Sequence, residues 1–459
     1  MSAPVPTPTP PPVPAPPPVP NPAPVSASTR ARAREPFDRR LARAVQTVTG
    51  RSLGPYQSAI VRIGFSLTWL LFLLRELPHR HRLYGSESPW SWGMAERLIA
   101  DNRAFTALLW SDGRIWFEVV YGLAVLSAAL LLVGWRTRAV SVVFMAGVLS
   151  LQNRAVFVGD GGDNVLHLAA IYLVLVRCSQ VWSLDARRAA REDRAARAGE
   201  PPRRDLTGPL LWVVLGGFLV AATWFSDVTG EWWIPVLLWV LWLGNALWWL
   251  VCRYAPGEPR TLLDALANLA HNGALLVLMA EVCLIYATAG WYKVQGSRWQ
   301  DGTALFYPLH LDYFTPWPAL SELLASSGIM VMVVTYGTVI VQVAFPFTLF
   351  NRKVKNVLLV AMMLEHAGIA VLLGLPVFSL AMISADAVFL PTVFLVALGA
   401  RVTRIRDRLL RRAPEKALPE QRRADGERRT DGESRAGEQD PAGGQRPAGG
   451  EQAPRTLVG

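Results

Sequence analysis

Long apolar runs, broken by short clusters of charge, dominate the chain between residues 58 and 399. A membrane-crossing helix needs about 20 predominantly apolar residues. Ten stretches approach that length: 58–77, 116–134, 139–158, 164–182, 209–226, 232–252, 268–290, 329–350, 356–374 and 378–399. The last two are parted only by Leu375-Pro376-Val377. Backbone amides find no water inside hydrocarbon, so runs of this length are predicted to be helices. The pattern therefore predicts an all-α, polytopic transmembrane bundle of about ten spans over residues 51–412.

The flanks read differently. Residues 1–34 are Pro-rich, carry no charge before Arg30 and lack the continuous apolar core of a signal peptide, which predicts polyproline or disordered chain. Over 35–50, Phe37, Leu41, Val45 and Val48 recur at helical spacing while Arg39, Arg40 and Arg43 fall elsewhere. That predicts an amphipathic helix lying on the inner membrane surface. Residues 413–459 are rich in Arg, Glu, Gly, Pro and Gln without an aromatic, so a disordered tail is predicted.

Composition sharpens this. With 52% hydrophobic residues and 18 Trp among 459 residues, the chain is excluded from the ordinary soluble class. The net charge of +11 is carried by Arg and Lys beside the spans, a topology signature that calls for lipid and not for nucleic acid. With a cytoplasmic amino terminus, the inner segments hold 27 Lys and Arg against 7 for the outer ones. Both termini are therefore expected in the cytoplasm and the protein in the plasma membrane. Cys178, Cys252 and Cys283 have neither metal-binding nor disulfide-framework spacing. No Walker, HExxH, GxSxG or GxGxxG motif occurs in a fitting context, which argues against nucleotide-driven pumps, zinc proteases and lipases. No internal repeat supports a transporter built from two related halves.

The longest outer segments, 78–115 and 291–327, are also the most aromatic and polar, so a site is expected to open outward. A charge at bilayer depth costs roughly 2.5–3.5 kcal/mol, so each one needs a reason. Arg62 and Arg75, near the ends of the first run, are accounted for by snorkelling to head groups. Gln152, Asn153 and Arg154 close the third run, the turn GDGGD covers Gly159 to Asp163, and Asn164 and His167 open the fourth. Gly161 and Gly162 permit a tight turn, and Asp163 or Asn164 can cap the following helix. Alternatively, Asn153, Asp163 and His167 line an outer pocket. The run LIYATAGWYKVQGSRWQD, Leu284 to Asp301, places Tyr286, Gly290 and Lys293 on one helical face at i, i+4 and i+7. Lys293 is either an interfacial anchor beside Trp291 and Tyr292 or a reagent, base or nucleophile. Glu365 and His366 are adjacent, hence about 100° apart on a helix and unable to face one site squarely. His366 reads equally as a proton relay or a packing residue, and Asp386 is an intramembrane acid without an evident partner.

RIGFSLTWLLF in the first run, the Asn153–Asn164 stretch with its GGD, SLD at Ser183 to Asp185, YATAGWYKVQGSRWQDGTALFY at Tyr286 to Tyr307, and EHAGIAVLLGLPVFSLAMI at Glu365 to Ile383 resemble the HTTM domain. Vitamin K-dependent γ-carboxylases and the bacterial sporulation-delaying protein B share that domain, and the likeness spans about 55–400, with AG-x-x-K…W…G its most specific block. The resemblance implies Lys293 as a base toward a reduced, menaquinone-like quinone, with His366 matching the family's late-helix His. Two departures set the chain apart from the carboxylase. A disordered tail is expected where the carboxylase has a folded lumenal domain, and GGD with Asn164 and a displaced His167 replaces an Asn-His motif. These departures separate the chain from glutamate carboxylation itself. The likeness is to the stand-alone sporulation-delaying protein B type, which implies maturation of a secreted peptide with an accessory protein. The expected site is then Lys293 as base, supported by His366 and Asp163. Asn153, Asn164, His167 and Tyr286 would line it, and Trp299 and Asp301 would shape its entrance. Two other readings stay open: a non-enzymatic peptide-binding immunity or chaperone-like protein, and a proton-coupled transporter using Asp386, Glu365 and Glu281.

Overall fold

In the computed structural model, which describes residues 37–201, 205–224, 233–255 and 257–410, every regular element among the described residues is helical. The Pro-rich segment 1–34 and the tail 413–459 lie outside the described residues. Six helices are long and apolar enough to cross a membrane, seven if the broken pair Pro376–Phe389 and Thr392–Leu409 is one span. The protein is thus an all-helical membrane protein.

In chain order the helices are α1 (Phe37–Gly50), α2 (Pro55–Glu76), α3 (Trp92–Asn102), α4 (Arg114–Val133), α5 (Thr137–Arg154), α6 (Gly161–Leu173) and α7 (Leu184–Arg197). They continue as α8 (Thr207–Trp224), α9 (Trp233–Tyr254), α10 (Glu258–Gln295), α11 (Pro318–Ala325), α12 (Gly328–Ala344), α13 (Arg352–Leu372), α14 (Pro376–Asp386) and α15 (Thr392–Leu410). The chain divides after Leu395; beyond it the described part is the remainder of α15, with Val402, Ile405 and Leu409 exposed. Before it, α2 is central. It packs on α4, α6 and α14, and its Phe65, Trp69 and Leu73 are buried in a core shared with Tyr121, Leu131 and Phe144.

Arg62 of α2 does not snorkel. It is 0% exposed, and its guanidinium donates to Leu131 O, to Leu132 O at 2.8 Å, to Cys178 O at 3.2 Å and to Trp182 O at 2.8 Å. A planar fork with five donors suits carbonyls left open at helix ends. Gly134, at φ +71°, ends α4 in the left-handed region, and a Cβ there would lie 2.9 Å from the guanidinium, so a side chain would obstruct this contact. The SLD motif caps two helices. Ser183 Oγ accepts from Ala186 N at 2.8 Å to start α7, and Asp185 accepts the Arg136 and Thr137 amides, both at 2.9 Å, to start α5.

Of the ten expected runs, 139–158, 164–182 and 209–226 have no counterpart among the six candidate spans and 378–399 falls in the broken pair; two of these show a physical reason. The run 164–182 gives a helix ending at Leu173, because side chains supply the partners that further helix would have supplied. Arg62 takes Cys178 O and Trp182 O, and Arg177 N donates to His271 Nδ1 at 2.9 Å. The run 378–399 breaks at Pro391, which has no amide to donate and holds Leu390 extended at ψ 137°. The freed carbonyls are met by Gln57 Nε2, 2.9 Å from Leu390 O, and by Lys355 Nζ at Phe389 O.

The expected span 268–290 is longer than its apolar part. Helix α10 runs 38 residues, about 57 Å at 1.5 Å per residue, well beyond a hydrocarbon core of about 30 Å. Polar residues in its amino-terminal half tether the end of α1 and the residues that follow it. Asn268 and Asn272 donate to Thr49 O and Val48 O, and His271 Nε2 donates to Leu53 O at 2.8 Å. The apolar stripe of α1, Phe37, Leu41 and Val45, remains exposed.

Candidate functional site

The residues around Lys293 arrive from four helices. Helix α10 supplies Tyr286, Gly290 and Lys293 on the face their spacing predicts. A Cβ on Gly290 would sit 2.6 Å from Val343 Cγ2, so the glycine is what lets α12 pack against α10 here. That approach brings Gln342 to Lys293: Nζ donates to Gln342 Oε1 at 2.8 Å, and Gln342 Nε2 donates to Glu365 Oε1 at 2.6 Å. The Lys293 ammonium also lies 5.2 Å from the Trp299 ring centroid, a cation–π contact.

A second chain starts from the neighbouring position of α13. His366 Nε2 is 3.0 Å from Tyr286 Oη, which lies 3.0 and 3.1 Å from the two carboxylate oxygens of Asp386 on α14. Adjacent residues on a helix diverge by about 100°, and that divergence is used. Glu365 turns to the lysine chain and His366 to the acid chain. His366 is 3% exposed and Asp386 0%, and Tyr286 is buried with them. Asp386, without an evident partner in the sequence, is the acid of this chain. Gln342 is the residue that sequence reasoning missed. Its signal was present, a lone amide inside the apolar run 329–350.

The residues expected at the outer pocket form a separate cluster. Asp160 N donates to Asp163 Oδ2 at 2.7 Å and Gly162 N to Asp160 Oδ1 at 2.7 Å, so Asp163 is half of a capping box at the start of α6. Asn153 donates to Phe105 O at 2.8 Å, His167 Nδ1 donates to Gln152 Oε1 at 2.9 Å, and Asn164 is exposed. These partners bind the α5–α6 turn to itself and to segment 78–115, without a hydrogen bond to Lys293. Phe378 connects the two regions. Its Cα would be 3.0 Å from a Cβ on Gly162, and its ring packs on His366 at 5.7 Å.

At the entrance, Trp299 meets the lysine, whereas Asp301 serves its own turn. It accepts from Thr303 N at 2.9 Å and from the Thr303 hydroxyl, bonds that hold its exposed carboxyl below the usual carboxylate range. Tyr336 of α12 steadies this turn by donating to Gln300 O at 2.7 Å. Glu281 stands apart. Its carboxylate oxygens are buried without a partner among the described residues, beside a small cavity lined by Val61, Phe65, Val165 and Ala385. It is not hydrogen-bonded to Glu365 or Asp386, so the three acids do not form one continuous chain.

No protein-family model, no curated protein and no solved structure matches this chain.

Proposed function

We propose that the protein is an HTTM-type plasma-membrane protein of about ten spans, both termini cytoplasmic, that modifies or matures a secreted peptide at an outward-facing site. Lys293 is its base. One observation carries this reading: a lysine at the end of a membrane helix is held by Gln342 against Glu365, beside a buried Tyr286–His366–Asp386 chain. An interfacial anchor needs none of these partners. A general base needs a fixed position and a neighbour to balance its charge as it gains a proton, and Gln342 and Glu365 supply both. His366 is a second proton-handling group within the same helix turn. Asp163, Asn153 and His167 support the site only by shaping the α5–α6 turn.

A menaquinone-like cofactor belongs to the HTTM resemblance. The opening that Gly290 leaves on the α10 face is filled by Val343 and does not seat a quinone ring.

The test is mass spectrometry of secreted peptides from a wild-type strain, a deletion and a Lys293→Ala strain. A product missing from both mutants is expected, and its mass difference from the precursor identifies the reaction. A product lost on deletion but made by Lys293→Ala would replace the base with a peptide-binding, chaperone-like role. Three identical profiles would remove peptide maturation altogether.

A further inference from the structure

Among the described residues, the Arg138 guanidinium has an aromatic face and no acceptor. It lies 4.5 Å from the centroid of the Trp248 ring, and no hydrogen bond or ion pair reaches it. Arg177 comes to the same ring at 5.8 Å. Its own needs are met, since it donates to Asn268 Oδ1 at 2.7 Å and to Asp264 Oδ1 at 3.3 Å. Asp264 also faces Arg260, whose Nε is 3.8 Å from Oδ2. Asp185, the other acid at this end of α5, accepts the Arg136 and Thr137 amides and pairs with Arg188 at 3.4 Å. Asp264 thus serves two guanidiniums, and Arg138 adds a positive charge that no carboxylate contacts. A guanidinium held over an indole keeps its fork of N–H donors available. Arg138 is exposed, so a ligand reaches those donors without entering the core.

The position is a seam between elements. Arg138 starts α5, Arg177 follows α6, Asp264 is on α10 and Trp248 is on α9. Helix α9 is the least embedded of the six candidate spans, with no residue of its apolar stretch buried. It is fastened to α8, where Trp212 and Trp242 stack at 3.9 Å and each indole donates to the other's carbonyl. Towards the rest of the bundle, Leu238 touches the main core and Trp248 meets the two arginines. A basic seam between membrane helices at the cytoplasmic headgroup level suits the phosphate of an anionic phospholipid. In the proposed topology Arg138 belongs to the inner segment 135–138, so the leaflet is the inner one. The unburied apolar stretch of α9 offers acyl chains a surface beside the headgroup, which free phosphate would not use.

We propose that Arg138 and Arg177, with Trp248 as their common platform, bind the phosphate headgroup of one anionic phospholipid of the inner leaflet, and that this lipid braces α9 against the bundle. Arg138 supplies the charge-assisted donors and Arg177 the second cation, while the acyl chains lie along α9. The negative headgroup balances the surplus charge that Asp264 leaves. The site is independent of Lys293 and of the peptide.

Native mass spectrometry tests the site, on full-length protein released from nanodiscs of equimolar phosphatidylcholine and phosphatidylglycerol. Arg138→Gln is compared with Arg253→Gln. Arg253 is also exposed at the inner end of α9, but it is five residues from Trp248 and so about 140° around the helix from it. Retained phosphatidylglycerol is expected to fall about tenfold in Arg138→Gln, the worth of a hydrogen bond to a charged group. It is expected to stay at the wild-type level in Arg253→Gln. Equal retention in the two variants overturns the site and leaves general attraction to surface charge. Thermal midpoints read the brace. Phosphatidylglycerol is expected to raise the midpoint over phosphatidylcholine alone for wild type and Arg253→Gln, and not for Arg138→Gln. A rise of the same size in Arg138→Gln overturns the brace. Inorganic phosphate added to phosphatidylcholine nanodiscs is expected to leave the wild-type midpoint unchanged. A rise equal to that from phosphatidylglycerol would make the occupant a free anion and overturn the lipid assignment.

Discussion

Arg62 and Gln342 are both buried polar residues in apolar runs, and they do opposite work. Arg62 closes four open carbonyls far from the lysine, whereas Gln342 joins Lys293 to Glu365. Their substitutions should separate accordingly. Arg62→Leu leaves carbonyls bare at about 1–3 kcal/mol each. It is expected to lower the thermal midpoint and the amount of protein, with unchanged product per folded molecule. Gln342→Leu also costs stability, by about 1–3 kcal/mol for the polar groups it strands. In addition it releases Lys293 and should cut product per folded molecule at least tenfold. Thermal unfolding in detergent and peptide yield normalised to folded protein check both; equal specific yields in the two variants would deny Gln342 its place in the site. At this scale Tyr286, Gly290 and Lys293 were legible from spacing, because a helix preserves it. Gln342 stood out as a lone amide in its run, but its partners and those of Asp386 were not legible, because which helices face α10 is a tertiary fact that no single run records.

At the scale of the element, apolar runs located most helices, and the ends went astray where side chains from elsewhere replaced helical hydrogen bonds. The shortening of 164–182 by Arg62 and His271 is one case. The start of α8 shows the same logic on the surface. Asp205 accepts from Thr207 N at 3.1 Å and from the guanidinium of Arg136, and that arginine holds its carboxyl below the usual carboxylate range. A carboxyl lowered on folding stabilises the fold above its unfolded value, near pH 4, and loses that contribution as the pH falls through the folded value. The group is largely exposed, so the ion pair is worth no more than about 1 kcal/mol. Asp205→Asn should therefore lower the midpoint by a few degrees at pH 7, with a gap that narrows as the pH falls below the unfolded value and through the folded one. A gap that does not narrow in acid would assign the effect to capping of α8 alone.

At the scale of the whole molecule, α6 is too short to cross a membrane by itself. Thirteen residues rise about 20 Å, less than a hydrocarbon core of about 30 Å, so α6 crosses only if the irregular chain after Leu173 completes the passage. Irregular backbone is tolerated at membrane depth when protein groups satisfy it, and Arg62 and His271 satisfy this stretch. If 161–182 crosses, segment 183–208 with its seven arginines is cytoplasmic, as the charge rule favours, and α10 delivers Lys293 to the outer face. If it turns back, those arginines face outward and the following spans invert, so Lys293 faces the cytoplasm. The sidedness of the site therefore hangs on whether α5, α6 and α8, the expected spans before α10 that fall outside the six candidate spans, cross the membrane, and α6 is the shortest of them. Single cysteines at Phe157 and Ala189, in a background with Cys178, Cys252 and Cys283 replaced, read this directly in intact cells. Phe157→Cys is expected to react with an impermeant maleimide, and Ala189→Cys only after permeabilisation. Labelling of both from outside would place Lys293 on the cytoplasmic face, where no secreted peptide could meet it, and the peptide-maturation reading would fall with the ten-span topology.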